Sequence, residues 1–360
     1  MIDLVILATP KIKYFGDLHP FRKWRKQLHE AGINIEIFYD HTNPKVLNAE
    51  RLLIHHRYFD SGWANALKTA SNSNSDFINY LKSLKASVGK LIWFDAEDST
   101  GSTQLAVIPY VDVFVKKQLL LDKNHYAGSP NETKNVRIWS DPSIEQKQFV
   151  PCRAEYLNKL GVGWNIAYND YRNFKVHYNI RKYLSHFVSH NAFPINYSKV
   201  LSDRPYDISF RGTINYSTSN KDVSFQRNKV LESFGKLPYK IASGGSIARS
   251  KYLDEMKKSK VGISPFGYGE VCFRDFETFI CGSLLLKPSM SHLETFPNLY
   301  IPNETYVPLS WKLDDLEETL DNILSNFKLY EQIALNGQES FRSAMNDSHG
   351  FINAVRRIIA

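Results

Sequence analysis

The sequence predicts an α/β protein built from two doubly wound parallel-sheet domains that face a central cleft. Three observations predict it. The chain has 360 residues, which at about 100 to 200 residues per domain suits two domains. Apolar strand patterns alternate with helical ones over residues 1 to about 120, and a second alternating series begins at Asp207; such alternation is the mark of βα units around a parallel sheet.

In chain order, Met1 to Ala8 lacks the basic start and long apolar stretch of a secretory leader, so Asp3 to Ala8 reads as a buried first strand at the start of the mature chain. Asn34 to Tyr39, Arg51 to His55, Lys90 to Phe94 and Val111 to Val115 read as the next strands. Phe77, Leu81, Leu84 and Val88 recur at helical spacing, after a cap at Ser75 or Asp76 and before Gly89. Phe21 to Ala31, closed by Gly32, reads as a second helix. Residues 120 to about 204 are irregular and rich in Tyr and Asn, with Pro151, Pro194 and Pro205 breaking any long period, and read as the end of the first domain plus a connector. The second series runs through Asp207 to Phe210, Tyr239 to Ala242, Val261 to Ser264, Ser283 to Leu286 and Leu299 to Ile301. Leu316 to Phe327 and Leu329 to Ala360 are helical in pattern, and Phe351, Val355 and Ile358 share a face. Boundaries follow at 1–200, 201–340 and 341–360, the last a terminal helix returning to the first domain.

Composition removes other classes. With 43% apolar and 23% charged residues, 18 Gly and 15 Pro, the chain is neither disordered nor collagenous. No apolar run approaches the length of a bilayer span. Cys152, Cys272 and Cys281 form no CxxC or zinc spacing, which predicts reduced thiols in the cytoplasm. The net charge of +8 allows attraction to polyanions or to the inner face of a membrane. Lys and Arg are spread along the chain and no nucleic-acid signature appears, so no nucleic-acid partner is expected. The first strand is not followed by GxGxxG, which disfavours a conventional dinucleotide site.

The most informative segment is Val261 to Pro288, read as strand, flexible loop (Phe266 to Gly269), helix (Phe273 to Cys281, closed by Gly282) and strand. Glu270, Arg274 and Glu277 then fall at a strand-to-helix turn. The free N–H groups of a helix start attract anions, a guanidinium matches phosphate oxygens, and a carboxylate one turn on can accept hydrogen bonds from both ribose hydroxyls. Phosphate and ribose together indicate a nucleotide. Arg274 could equally pair with Asp275 or another nearby acid, and Glu277 could be a solvated helix residue.

Glu270, six residues, Glu277, then Phe279-Ile280-Cys281-Gly282 and an apolar strand resembles the donor-site motif of GT-B glycosyltransferases, with a spacing one residue shorter than the family's usual one. Tyr252 to Ile263 and Phe273 to Glu277 are most similar to the CgeB-like, exostosin-like and group 1-like branches. The resemblance covers about 205 to 310, and the first half only by architecture. It implies a GT-B fold of two Rossmann-like domains and transfer of a sugar from a nucleotide-activated donor to an acceptor hydroxyl. Glu277 would hold ribose and Glu270 would lie near the transferred sugar. Arg211 and Gly212 would meet the donor diphosphate, with Lys221 or Arg227 as the later cation. Gly244, in Ser243 to Ser246, would let backbone meet the nucleobase, or mark a plain turn. The nucleotide-sugar is substrate and neither cofactor nor metal is expected. A glycan or lipid-linked glycan is the implied acceptor, in bacterial surface polysaccharide or glycolipid synthesis, with peripheral contact at the inner membrane face.

The acid–base group is sought where Leu91 to Phe94 runs into Asp95, Glu97 and Asp98, three carboxylates expected at the cleft, where crowding of like charge suits one to take a proton. Asp95 and Asp98 could instead hold a divalent cation, as the Asp-x-Asp element of GT-A glycosyltransferases does. Asp17, His19, His55 and His56 are further candidates, as solvated or packed residues or as bases. Glu294 and Glu304 either line the donor site or belong to turns. The rival readings are a metal-dependent GT-A enzyme, a non-catalytic nucleotide- or sugar-binding protein, and an RNA-binding protein.

Overall fold

A computed structural model of the chain describes residues 1–59, 75–129, 131–141, 143–172, 180, 184, 188, 193–212 and 221–360. Thr213, at the end of the Arg211 loop, lies outside the described residues.

The first sheet contains β1 (Ile2–Leu7), β2 (Ile33–Phe38), β3 (Arg51–His55), β4 (Lys90–Asp95), β5 (Val113–Lys116) and, beyond a short β6 (Gln118–Leu120), β7 (Leu160–Val162). The spatial order is β2-β1-β3-β4-β5-β7 and every pair is parallel. Residues alternate between two cores. Leu4, Ile6, Leu53, Ile92 and Phe94 face one, while Val5, Leu7, Leu52, Ile54, Leu91 and Trp93 face the other. A parallel sheet is covered on both faces, which is why these strands read as unbroken apolar runs. On one face α1 (His19–Lys23) and α2 (Arg25–Glu30) supply Phe21 and Leu28, and on the other α3 (Ser75–Ser87) supplies Phe77, Leu81 and Leu84. The single helix expected over Phe21 to Ala31 is broken at Trp24, which leaves helical geometry and packs its ring 5.1 Å from Tyr168.

The second sheet repeats the plan with β8 (Tyr206–Arg211), β9 (Ile241–Gly244), β10 (Ser259–Ile263), β11 (Leu284–Pro288), a short β12 (Leu293–Thr295) outside it, and β13 (Val307–Leu309). Its order is β9-β8-β10-β11-β13, again parallel. Helices α4 (Lys221–Phe234), α5 (Arg249–Lys257), α6 (Phe273–Cys281), α7 (Leu316–Ser325) and α8 (Phe327–Asn346) accompany these strands. The last strand differs from expectation. Leu299 to Ile301 has no regular structure and leads into a turn at 303–305, where the Ile301 carbonyl accepts from the amides of Glu304 and Thr305, and the strand follows at Val307–Leu309. Pro308 disguises it, and is tolerated because an edge strand needs ladder bonds on one side alone.

The terminal helix α9 (Ser348–Ile359) returns to the first domain. Its Phe351 ring lies 5.2 Å from Phe21 and 5.6 Å from Trp164, and the Ile359 carbonyl accepts from Arg51 Nε at 2.9 Å. Truncating a buried aromatic costs about 3–5 kcal/mol, so Phe351→Ala should lose stability on that scale in urea unfolding. A loss near zero would mean that the helix is not seated there.

The domains are joined by more than this helix. Strands β6 and β12 pair antiparallel across the boundary, and Arg137 forms a buried ion pair with Asp222. One apolar core runs from Ile92 and Phe94 through Phe276, Phe279 and Phe341. Gly269 is a close approach between the domains: a Cβ there would stand 1.8 Å from the Asp98 carbonyl oxygen, so only glycine fits.

Candidate functional site

In an open parallel sheet, ligands gather at the carboxyl ends of the strands where the strand order reverses. The orders above place that reversal between β1 and β3 in the first domain and between β8 and β10 in the second. Both are built from segments singled out in the sequence.

At the first reversal lies a cavity of about 240 Å³. Asp17 and His19 enter it from the segment after β1, Arg57 from beyond β3, Asp98 from beyond β4 and Lys117 from just after β5, with Phe273 reaching across from the second domain. His55 Nε2 lies 3.1 Å from Asp17 Oδ2. Burial opposes ionisation of Asp17, but the hydrogen bond from His55 and the charges of Lys117 and Arg57 outweigh it and hold the carboxyl down at about 2. Burial pushes His55 down as well, so at neutral pH an uncharged imidazole donates to a carboxylate. Lys117 is penalised by burial, yet Asp98 and Asp17 keep it protonated. Asp17 and His19 are thus cavity wall rather than solvated loop.

The three carboxylates after β4 are sorted by their partners. Asp95 is fully enclosed: Lys116 Nζ lies 3.1 Å away and the amides of Glu97 and Gln104 donate to its two oxygens. Burial would raise its pKa, and Lys116 with His56 brings it below the usual range instead. Glu97 is gripped by Arg57 through both Nη atoms at 3.3 Å. His56 accepts the Ala96 amide at Nδ1, and its Nε2 lies 3.5 Å from Glu97 without a hydrogen bond. Asp98 alone is open, its side chain 57% exposed and its Oδ1 2.9 Å from Lys117 Nζ. Lys116, Lys117 and Arg57 escaped the sequence reading; the signal was a cation directly after each of two apolar strands.

At the second reversal, Arg211 ends β8 and is held by Glu255 in a two-pronged ion pair, Nε and Nη2 each 2.8 Å from a carboxylate oxygen. Its carbonyl accepts from Arg274 Nη2, whose guanidinium lies 4.8 Å above the Phe210 ring. Burial lowers the pKa of Arg227, and the neighbouring Arg274 lowers it further. An anion beside these like charges would be stabilised by both. Gly212 follows Arg211, and Gly244 pairs with Arg211 across the ladder at φ 117°, where a side chain would be strained. Lys221 begins α4 as an exposed residue.

The two glutamates of the motif part company. Glu270 is fully buried and turned to the first domain, where it accepts from Thr100 Oγ1 at 2.7 Å, the Thr100 amide at 3.1 Å and Ser99 Oγ at 3.1 Å. Glu277 is 6% exposed. It accepts from Arg249 Nη1 at 2.6 Å, just past the Gly244-Gly245 loop, and bonds Tyr252, whose hydroxyl is pushed well up by burial and by this carboxylate. Asp275 caps α6 from within the core through Cys272, Lys287 and Tyr300 and does not pair with Arg274. Glu294 lies 3.5 Å from Lys123 across the boundary, and Glu304 sits exposed in a turn.

No protein-family model and no curated protein match the chain. Among solved structures it is similar to a DNA-modifying β-glucosyltransferase, with 11% identity over 99% of both chains and a TM-score of 0.47. It is also similar to HepE of Anabaena, solved with UDP-glucose, with 10% identity over 99% of both chains and a TM-score of 0.41. The C-terminal domain of a group 1 glycosyl transferase from Francisella tularensis matches 41% of this chain and 95% of its own, with 14% identity and a TM-score of 0.29. At such scores the likenesses carry no weight on function, which rests on the residues themselves. Two doubly wound parallel sheets, with a terminal helix returned to the first, are the two-domain α/β plan expected from the sequence.

Proposed function

We propose that the protein is a glycosyltransferase that moves a sugar from a nucleotide-activated donor, held by the second domain, to an acceptor hydroxyl presented by the first. The observation that carries this reading is the contact at Gly269. The loop leading into α6, which bears Arg274 and Glu277, lies directly on the backbone of Asp98, the one open carboxylate after β4. In this reading the contact brings the anion-accepting groups of the second domain toward the proton acceptor of the first.

In this reading Arg227 and Arg274 take up the charge that grows on the departing diphosphate, while Arg211, committed to Glu255, shapes the loop and places its carbonyl under Arg274. Glu277 takes the ribose hydroxyls as the half-exposed Arg249 gives way. Asp98 receives the proton of the attacking hydroxyl. Cationic side chains do the neutralising that a metal does elsewhere, so transfer should persist in EDTA. The metal-dependent alternative requires Asp95, whose oxygens are already taken by Lys116 and backbone amides.

The acceptor we carry forward is a glycan or lipid-linked glycan, with bacterial surface polysaccharide or glycolipid synthesis as its setting. The described residues include no helix long and apolar enough to cross a membrane, so contact with a lipid carrier would be peripheral and aided by the net charge of +8. A nucleic-acid acceptor is the competing class, and it would betray itself by a steep fall of affinity with salt.

A thermal-shift screen of UDP-, GDP-, dTDP-, ADP- and CMP-linked sugars tests the donor site, because a ligand bound only by the folded state raises the melting temperature. One donor class should shift the protein, and Glu277→Ala should abolish that shift. A shift of unaltered size in the variant would remove the ribose contact from the proposal.

A further inference from the structure

Arg137 belongs to the first domain, yet its side chain works in the second. It follows a short hairpin strand, Lys134–Asn135, paired antiparallel with Gln148–Phe149, and its amide donates to Gln146 Oε1 at 3.2 Å. The preceding Val136 is buried in the first-domain core, and its carbonyl oxygen presses on the turn after β4 so closely that a Cβ on Gly101 would stand 2.1 Å from it. The root of the Arg137 side chain is thus fixed to the first domain.

Both terminal nitrogens of the guanidinium serve the second domain. Nη1 pairs with Asp222 in an ion pair whose two side chains are each 5% exposed, and Nη2 donates to the Tyr268 carbonyl at 3.1 Å. Asp222 lies in the first turn of α4, and Tyr268 lies in the loop that leads into α6. One rigid fork of donors therefore ties the start of one helix to the loop before another.

Arg227 is what these two elements frame. It stands on α4 about a turn and a half beyond Asp222. Gly267, the neighbour of Tyr268, lies under its guanidinium, where a Cβ would come within 2.6 Å of Arg227 Nη2. The adjacent Gln226 is fully buried and accepts the Phe266 amide at 2.8 Å. Helix α4 and the loop are thus joined twice, at Phe266 through Gln226 and at Tyr268 through Arg137. Burial and the charge of Arg274 both disfavour the charged form of Arg227, so a firm frame is needed to hold it toward that like charge.

We propose that Arg137 is a positioning residue of the donor site, which from the first domain locks α4 to the Phe266–Gly269 loop and so aims Arg227 at the donor diphosphate. The part given to Arg227 rests on the transferase reading, whereas the contacts of Arg137 do not. Donor affinity in the second domain then depends on a first-domain side chain.

Titration calorimetry of the full chain with UDP-glucose, GDP-mannose, dTDP-glucose, ADP-glucose and CMP-N-acetylneuraminate tests this. Arg137→Met should weaken binding of the responding donor about tenfold or more, as loss of one member of a buried charge pair does. Arg227→Gln should weaken it as well, and the double variant no further than Arg227→Gln alone, because Arg137 acts through Arg227. A role confined to stability would lower the melting temperature and leave the affinity of the folded protein as it was. Should Arg137→Met fail to fold, Arg137→Lys replaces it: the ammonium can pair with Asp222 but lacks the fork that also reaches Tyr268, and the same non-additivity with Arg227→Gln is expected. Affinity within about twofold of wild type in every folded Arg137 variant, or penalties that multiply in the double variant, overturn the proposal. A donor that binds wild type and folded variant equally defeats this proposal alone, whereas no binding of any nucleotide-sugar to wild type defeats the donor reading and this proposal with it.

Discussion

Replacing Asp98 by Asn is expected to slow glycosyl transfer about 10²–10⁴-fold, the usual contribution of a positioned general base. The substitution keeps shape and volume and removes the site's ability to take a proton. Asp98 is chosen over its neighbours by partnership: Asp95 is sealed against Lys116, and Glu97 is clasped by Arg57. Folding should survive, since the Asp98 side chain is 57% exposed and its buried partner Lys117 keeps Asp17 as a counter-charge. The check is a steady-state transfer assay with the donor found by thermal shift, beside a melting curve. Transfer within about threefold of wild type, well short of a base's contribution, would take the base role away from Asp98.

Glu270→Ala is expected to destabilise the protein by about 2–5 kcal/mol, read as a lowered midpoint in urea. The carboxylate is fully buried and reaches out of its own domain to Ser99 and Thr100. Its loss would strand the buried Thr100 amide and hydroxyl without this partner. Because these bonds cross the boundary, the two domains should also unfold less cooperatively, as separated transitions by fluorescence and circular dichroism. Glu270→Gln should fall between, since one oxygen still accepts while its NH2 faces donors. The measurement also separates two roles for this residue. A fall in transfer rate with stability intact would seat Glu270 beside the transferred sugar, whereas lost stability marks a clamp between domains.

Much of the architecture was legible because local chemistry and tertiary context agree. Leu91 to Phe94 is apolar on both faces, and a parallel sheet buries both faces; Phe77, Leu81, Leu84 and Val88 share one face of a helix, and all four are buried. Where they disagree, the sequence misled. Pro308 hid an edge strand, and the helical pattern over Phe21 to Ala31 passed across the break at Trp24. The same holds at the site. Arg211 was expected to meet a diphosphate, and its ion pair with Glu255 was not legible because that partner lies far along the chain on α5.

The sequence by itself determined the two parallel-sheet domains, the segments that meet at the strand reversals and the residue types gathered there, because apolar period and turn chemistry act over a few neighbouring residues. Tertiary structure alone decided which carboxylates are sealed and which one is open, and that Glu270 faces the other domain. Those properties depend on burial and on partners far away in the chain, such as Thr100 with Glu270, and no local pattern encodes them.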